Sequence, residues 1–288
     1  MSSPIDDAIR AALESVLPDA AVPRELAFRP LAGGLNARSF VVAAGGRELV
    51  VRLPLGGAPP LLDVAAEAAV MRAAAQQGLA PAVVGADVRS GVLVTELRTA
   101  AVAWTVDAAR EPRNIARLAQ LLRTLHAIAA PAPRFSAGAI AARYLADVGA
   151  AGAVERAWQA ELLERAYEFD ACHPGDALCH NDLFAANVLD DGRLMLVDFE
   201  YAVRAAPLLD LAGFAAMNEL APEQRRTLLA EYYRGAEPPL ASELDSAVRM
   251  VRLLAYFWAL LGQRHAASPG AYTELGASIA NMLHEDRV

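Results

Sequence analysis

One stretch constrains this chain more than any other: residues 178–200, LCHNDLFAANVLDDGRLMLVDFE. An apolar strand pattern runs into His180-Asn181-Asp182, and Asn187 follows five residues after Asp182. Val188 and Leu189 begin a short strand, Asp190-Asp191-Gly192 turn the chain, and Leu194 to Val197 return it to Asp198-Phe199-Glu200. Strands joined by an Asp-Gly turn form a hairpin, and this one would gather Asp182, Asn187 and Asp198 at one end. Two carboxylates and an amide oxygen suit a hard cation such as Mg²⁺, which keeps phosphate oxygens in its remaining positions. A surface hairpin with solvated acids is the plain alternative. It leaves the apolar residues on both sides without a role.

Composition narrows the classes. The 288 residues suffice for one large domain or two lobes, and 55% apolar against 21% charged residues is a globular balance. A net charge of −8 argues against a general nucleic-acid binder. All 26 basic residues are Arg and none is Lys, so any cationic side chain that meets a phosphate here is a planar guanidinium. Cys172 and Cys179 match no zinc spacing and read as reduced thiols. The start, MSSPIDDAIR, has no signal-sequence pattern, and the longest apolar run, Leu253 to Leu261, is too short to span a bilayer. A cytoplasmic protein with no membrane partner is the expectation.

Periodicity sets the coarse elements. An amphipathic helix over 4–17 precedes strands at 26–31, 38–43 and 48–53, with Gly33-Gly34 between the first two. Paired glycines let backbone approach phosphates, and they also serve any tight hairpin. In the third strand Val50 and Arg52 share one face, opposite Leu49, Val51 and Leu53. Asp63 caps a helix over 64–77 whose inner stripe carries Glu67. A strand cation followed by a helix acid is the order of the kinase Lys–Glu pair, here Arg52–Glu67. Strands at 82–88 and 92–97 complete the set. The pattern then changes from strand to helix at Arg98–Ala101, which divides the chain into residues 1–98 and 99–288. In a kinase-like arrangement the first is an N-terminal, nucleotide-binding lobe and the second a C-terminal lobe with the catalytic loop and substrate pocket.

Helices over 114–130, 154–169 and 242–262 supply apolar stripes to the second lobe. His126 and Trp158 read as core residues. Asp210 begins a helical run; it caps that helix or orients the catalytic loop, and capping is the reading local sequence favours. Tyr256 and Trp258 serve either as core or as an aromatic wall for a cation.

Together LAGGLNARSF, ELVVRLPL, LLRTLHAI, LCHNDLFAANVL, LMLVDFEYA and DLAGF resemble the choline/ethanolamine kinase family, within the group that includes aminoglycoside phosphotransferases. The resemblance implies an α+β fold with two protein-kinase-like lobes, an antiparallel sheet with one main helix and a mostly helical second lobe. It implies ATP and Mg²⁺ as cofactors, with a small alcohol as the other partner. Asp182 is then the base, Asn187 and Asp198 hold the metal, Arg52 meets phosphates, and Glu67 positions Arg52. Gly33, Gly34 and Val50 belong to the nucleotide site, with backbone near Glu96 and Leu97 facing adenine. Glu200, Tyr201 and Trp258 match positions near an amino-alcohol pocket. The chain departs from the family at Asn36-Ala37, where members often carry Thr-Asn, so side-chain contact from this loop to phosphate is not expected.

The implied reaction moves the γ-phosphoryl of ATP to the hydroxyl of a small cationic alcohol, choline or ethanolamine first. Thiamine and aminoglycoside kinases are rivals with the same chemistry, and a silent nucleotide-binding protein is the rival from another class. A Ser/Thr protein kinase is disfavoured, because no Asp-Phe-Gly and no Ala-Pro-Glu segment follows Asp198.

Overall fold

The computed structural model describes residues 4–17, 22–23, 25–31, 34–55, 63–148, 153–266 and 269–285. Gly33, the expected helix stop Pro18 and the side chain of Val154 lie outside them. Helix α1 (Pro4–Val16) is followed by strands β1 (Phe28–Leu31), β2 (Ala37–Ala44) and β3 (Arg47–Pro54). Helix α2 (Val64–Gln76) and strands β4 (Val83–Asp87) and β5 (Val92–Glu96) come next. The strands make one antiparallel sheet in the order β1-β2-β3-β5-β4.

Side-chain alternation gives this sheet two different faces. Leu49 and Val51 are fully buried with Ile9 and Leu13 of α1 and with Phe40, Val42 and Val94. Burying each such side chain stabilises by about 1.5–3 kcal/mol. The opposite face of β3 presents Val50 and Arg52 to a cleft. A slip of one residue would exchange these sets, so the core contacts of Leu49 and Val51 also fix where Arg52 points. Asp63 caps α2 by accepting the Ala66 N–H at 2.8 Å, and the first turn then carries Glu67, 1% exposed, toward Arg52.

Beyond the sheet the chain is mostly helical. It runs through β6 (Val102–Ala103), α3 (Val106–Arg110), α4 (Pro112–His126), α5 (Ala137–Val148) and α6 (Ala153–Cys172). Next are β7 (Ala177–Cys179), a 3-10 turn (Ala185–Asn187), the hairpin of β8 (Val188–Asp190) and β9 (Leu194–Leu196), and β10 (Val203–Ala205). Helices α7 (Leu208–Met217), α8 (Pro222–Tyr232), α9 (Ala241–His265) and α10 (Gly270–Glu285) close the chain. Strand β10 pairs with β7, and β8 lies between β6 and β9.

The helical core is built from side chains at helical spacing: Leu118, Leu122 and Leu125 of α4, Leu162 of α6, and Leu244 and Phe257 of α9. Trp158 packs edge-on to Tyr256 with ring centroids 4.9 Å apart, which makes both core residues. The α+β class read from the sequence is the one observed. Helices α3, α5, α8 and α10 and strands β6 and β10 are additions to that reading. Of these, α8 buries only Leu228 and Leu229, and the inner stripe of α10 includes a glycine, Gly276, so neither has a wide apolar face. Among the described residues, no helix is long and apolar enough to cross a membrane.

Candidate active site

The hairpin delivers its acids as the spacing requires. Val188 pairs with Leu196, and the Val197 N–H donates to the Asn187 carbonyl at 3.0 Å, so Asn187 and Asp198 leave the ribbon at the same end. The turn between the strands is held by Asp190 Oδ1, which accepts the Gly192 N–H at 2.9 Å, with Gly192 at φ +99°. Asn187 Nδ2 donates to the Asp182 carbonyl at 2.8 Å and to Asp182 Oδ2 at 2.9 Å. With its amide nitrogen engaged on Asp182, the side-chain atom that Asn187 can offer to a cation is its oxygen. Asp182, Asn187 and Asp198 all line one cleft of about 790 Å³ with Arg52, Glu67, Glu200, Tyr201 and Trp258.

Arg52 links the sheet to the hairpin. Its Nη2 donates to Glu67 Oε2, its Nη1 to Asp198 Oδ1 at 2.6 Å, and Glu200 Oε2 lies 3.9 Å away. The Arg52–Glu67 pair expected from strand and helix order is therefore present, with Asp198 as a further partner. Burial pushes the Glu67 carboxyl up to about 7 against the pull of Arg52. Desolvation, together with the Asp198 and Glu200 charges, also drives Asp182 well above the usual carboxylate range. A cleft this rich in acids is electrostatically prepared for a cation.

Asp210 corrects the local reading. Helix α7 has Pro207 at its N-cap with no side-chain cap bond, and Asp210 instead turns back to the loop before Asp182. Its Oδ2 accepts the His180 N–H at 2.8 Å and its Oδ1 the Asn181 N–H at 2.7 Å. His126 Nε2 donates to the same carboxylate at 3.1 Å, since a carboxylate only accepts, while Nδ1 meets the Tyr232 hydroxyl at 2.7 Å. His126 is thus a satisfied core residue, as read. Cys179 also lies near Asp210, with its thiol directed at the Ala206 carbonyl 3.6 Å away. These bonds hold Asn181 at φ +62°, and Asp198 sits at φ +67°; a non-glycine residue adopts this region at a cost of about 1–2 kcal/mol. Asn218, absent from the sequence reading, adds a second clamp: its Nδ2 donates to Leu183 O and its Oδ1 accepts the Ala185 N–H, both at 2.8 Å.

The remaining predicted residues are placed as follows. Gly34 lines the cleft at φ +89°, and an added Cβ would lie 2.5 Å from the Ala37 carbonyl oxygen, so the turn itself demands glycine. Val50 lines the cleft beside Arg52. Glu96 and Leu97 reach the cleft, yet their N–H groups already donate to Ala82 O and Glu48 O, both at 2.9 Å. Any adenine contact from these two backbones would therefore run through carbonyls. The Glu96 side chain turns to Arg47 at 2.7 Å. Trp258 faces the cleft edge-on to Tyr201, 6.2 Å between centroids, and packs on Tyr272 at 5.3 Å, which separates it from the core residue Tyr256.

The donor set fits a hard cation. Asn187 and Asp198 offer only oxygens once the Asn187 amide nitrogen is engaged, and Asp182 stands beside both.

A family model described as the phosphotransferase enzyme family matches residues 27–271. Among solved structures, a choline/ethanolamine kinase family protein from Mesorhizobium loti is 27% identical, with TM-score 0.75 over 96% of this chain and 94% of that one. Choline kinase LicA from Streptococcus pneumoniae is 17% identical, with TM-score 0.80 over 99% of both chains, and a further LicA structure is a complex with AMP. An aminoglycoside phosphotransferase, APH(4)-Ia, in complex with ADP and hygromycin B, is 16% identical with TM-score 0.65 over 97% of both chains. No curated protein sequence matches significantly. Fold and family model together define a small-molecule kinase with a kinase-like fold. The chain belongs to the phosphotransferase enzyme family, and its fold is similar to those of solved choline/ethanolamine kinases and aminoglycoside phosphotransferases.

Proposed function

We propose that this kinase moves the γ-phosphoryl of ATP to the hydroxyl of a small cationic alcohol, choline or ethanolamine before others. The observation that carries the reading is the meeting of Asp182, Asn187 and Asp198 with Arg52 in one cleft. Asp182 accepts the hydroxyl proton as the alcohol oxygen bonds to phosphorus and the bond to the ADP oxygen breaks. Asn187 orients Asp182 through the amide nitrogen. Asn187 and Asp198 would hold Mg²⁺, which when bound neutralises phosphate charge. Arg52, positioned by Glu67, contributes a guanidinium to the same phosphates. Gly34 and Val50 line the nucleotide end, with Glu96 and Leu97 beside the base.

The acceptor end supports a cationic substrate. Glu200 is buried, and it lines the cleft together with the rings of Tyr144, Tyr201 and Trp258. An aromatic ring contributes about 0.5–2 kcal/mol to holding a cation, so these walls select more than they tighten. This reading places the reaction in the cytoplasm, with residues 1–98 and 99–288 as the two lobes that close on the nucleotide.

The test is a turnover screen with Mg-ATP over choline, ethanolamine, thiamine and aminoglycosides, read as ADP release. Turnover with choline or ethanolamine at the highest kcat/KM supports the reading. Preference for thiamine or an aminoglycoside moves the substrate class, and no Mg-dependent ADP release with any acceptor leaves a silent nucleotide binder.

A further inference from the structure

The loop after β1 does more than turn. Asn36 Nδ2 donates to Glu200 Oε1 at 2.7 Å and to the Tyr201 hydroxyl at 2.8 Å, and Asn36 Oδ1 lies 2.7 Å from the Tyr272 hydroxyl. A carboxylate can only accept, so the amide nitrogen must be the atom that faces Glu200. Its oxygen then faces Tyr272, and Tyr272 must be the donor. One amide joins three segments far apart in sequence: the nucleotide-side loop, the Asp-Phe-Glu-Tyr run after the hairpin, and the start of α10.

Tyr272 is held rigidly enough to anchor this fork. It is 1% exposed, packs on Trp258, and lies so close to α9 at Gly262 that a Cβ there would fall 1.9 Å from its ring. On the other side of the fork, Gly34 shares the short loop with Asn36, and both line the cleft. The loop is also tied to the sheet, where the Leu55 N–H donates to the Asn36 carbonyl at 2.8 Å. Any displacement of Glu200 or Tyr201 is therefore passed to the segment that covers the nucleotide, and the reverse.

We propose that Asn36 and Tyr272 are positioning residues forming a latch, which makes the nucleotide loop and the acceptor pocket one binding unit. This rests on the phosphotransferase reading. Neither residue transfers a proton or touches the phosphoryl group; the latch acts by fixing the loop relative to Glu200 and Tyr201. Because the three groups share one amide, losing the Tyr272 hydroxyl and losing the Asn36 amide break the same device.

The experiment is a double-mutant cycle of Asn36→Ala, Tyr272→Phe and the pair together, with KM for ATP and for the best acceptor measured alongside kcat and melting temperature. Tyr272→Phe is expected to raise both KM values about threefold to tenfold, although its hydroxyl faces Asn36 and not the acceptor. The double variant is expected to be no worse than Asn36→Ala alone. A change confined to one substrate, no change, or a double loss equal to the product of the single losses overturns the latch. If wild-type protein releases no ADP with any acceptor, the functional reading fails. The same cycle read as Mg-ADP affinity by calorimetry then tests the latch by itself, with a shared, non-additive loss expected and additive or absent losses overturning it.

Discussion

Arg52 Nη1 lies 2.6 Å from Asp198 Oδ1, so the guanidinium of β3 is bonded directly to the acid at the mouth of the hairpin. Its other nitrogen is on Glu67, and the fork spans two elements at once. An ammonium gathers its three donors on one nitrogen and cannot reproduce that planar fork. Arg52→Lys is expected to lower kcat/KM for ATP about 10- to 100-fold with the melting temperature little changed, as measured by steady-state kinetics and thermal denaturation.

Asp182 and Asp198 should separate in kinetics. Asp182→Asn keeps the shape but removes the carboxylate proposed to accept the proton, so kcat is expected to fall about 10²- to 10⁴-fold while ADP affinity holds within about twofold. Asp198→Ala should abolish turnover. Stopped assays paired with calorimetry distinguish them, and equal losses of rate and nucleotide affinity in Asp182→Asn would assign that residue to structure.

Asp210 holds three donors in a site with no exposure. Asp210→Ala leaves the His180 and Asn181 N–H groups without that partner, and a loss of about 3–5 kcal/mol is expected in urea denaturation. A wild-type denaturation midpoint in this variant would contradict the role given to it.

Glu161 provides the acid limb of stability. Bonds from Arg249 first, and from Arg165, hold its carboxyl down at about 2 from an ordinary 4.5. The folded value lies below the unfolded one, so the stabilisation is complete above about pH 4.5 and is lost as pH falls toward 2. Glu161→Gln should cost about 1–2 kcal/mol at pH 7, allowing for partial solvent screening, and much less at pH 3. Denaturation curves at the two pH values check this.

Legibility followed distance along the chain. Asp182, Asn187 and Asp198 were readable because a hairpin converts sequence spacing into spatial proximity within 17 residues. Arg52 and Glu67 were readable through strand alternation and a helix cap, both local rules. Asp210 was misassigned because capping preferences are local, whereas its bonds reach back 30 and 29 residues to His180 and Asn181. Asn36 and Tyr272 meet across 236 residues, and nothing in either neighbourhood announces the other. Asn218 is silent for the same reason: its clamp on Leu183 and Ala185 exists only once α7 has packed.

The guanidinium at position 52 also decides which reagents can find this cleft. Nucleotide probes that tag kinases by acylating a neighbouring amine need an unprotonated side-chain nitrogen, and arginine keeps its proton at any working pH. With no lysine in the sequence, such labelling would pass this enzyme by, and activity-based surveys built on it would count the protein as missing from an extract in which it is turning over substrate.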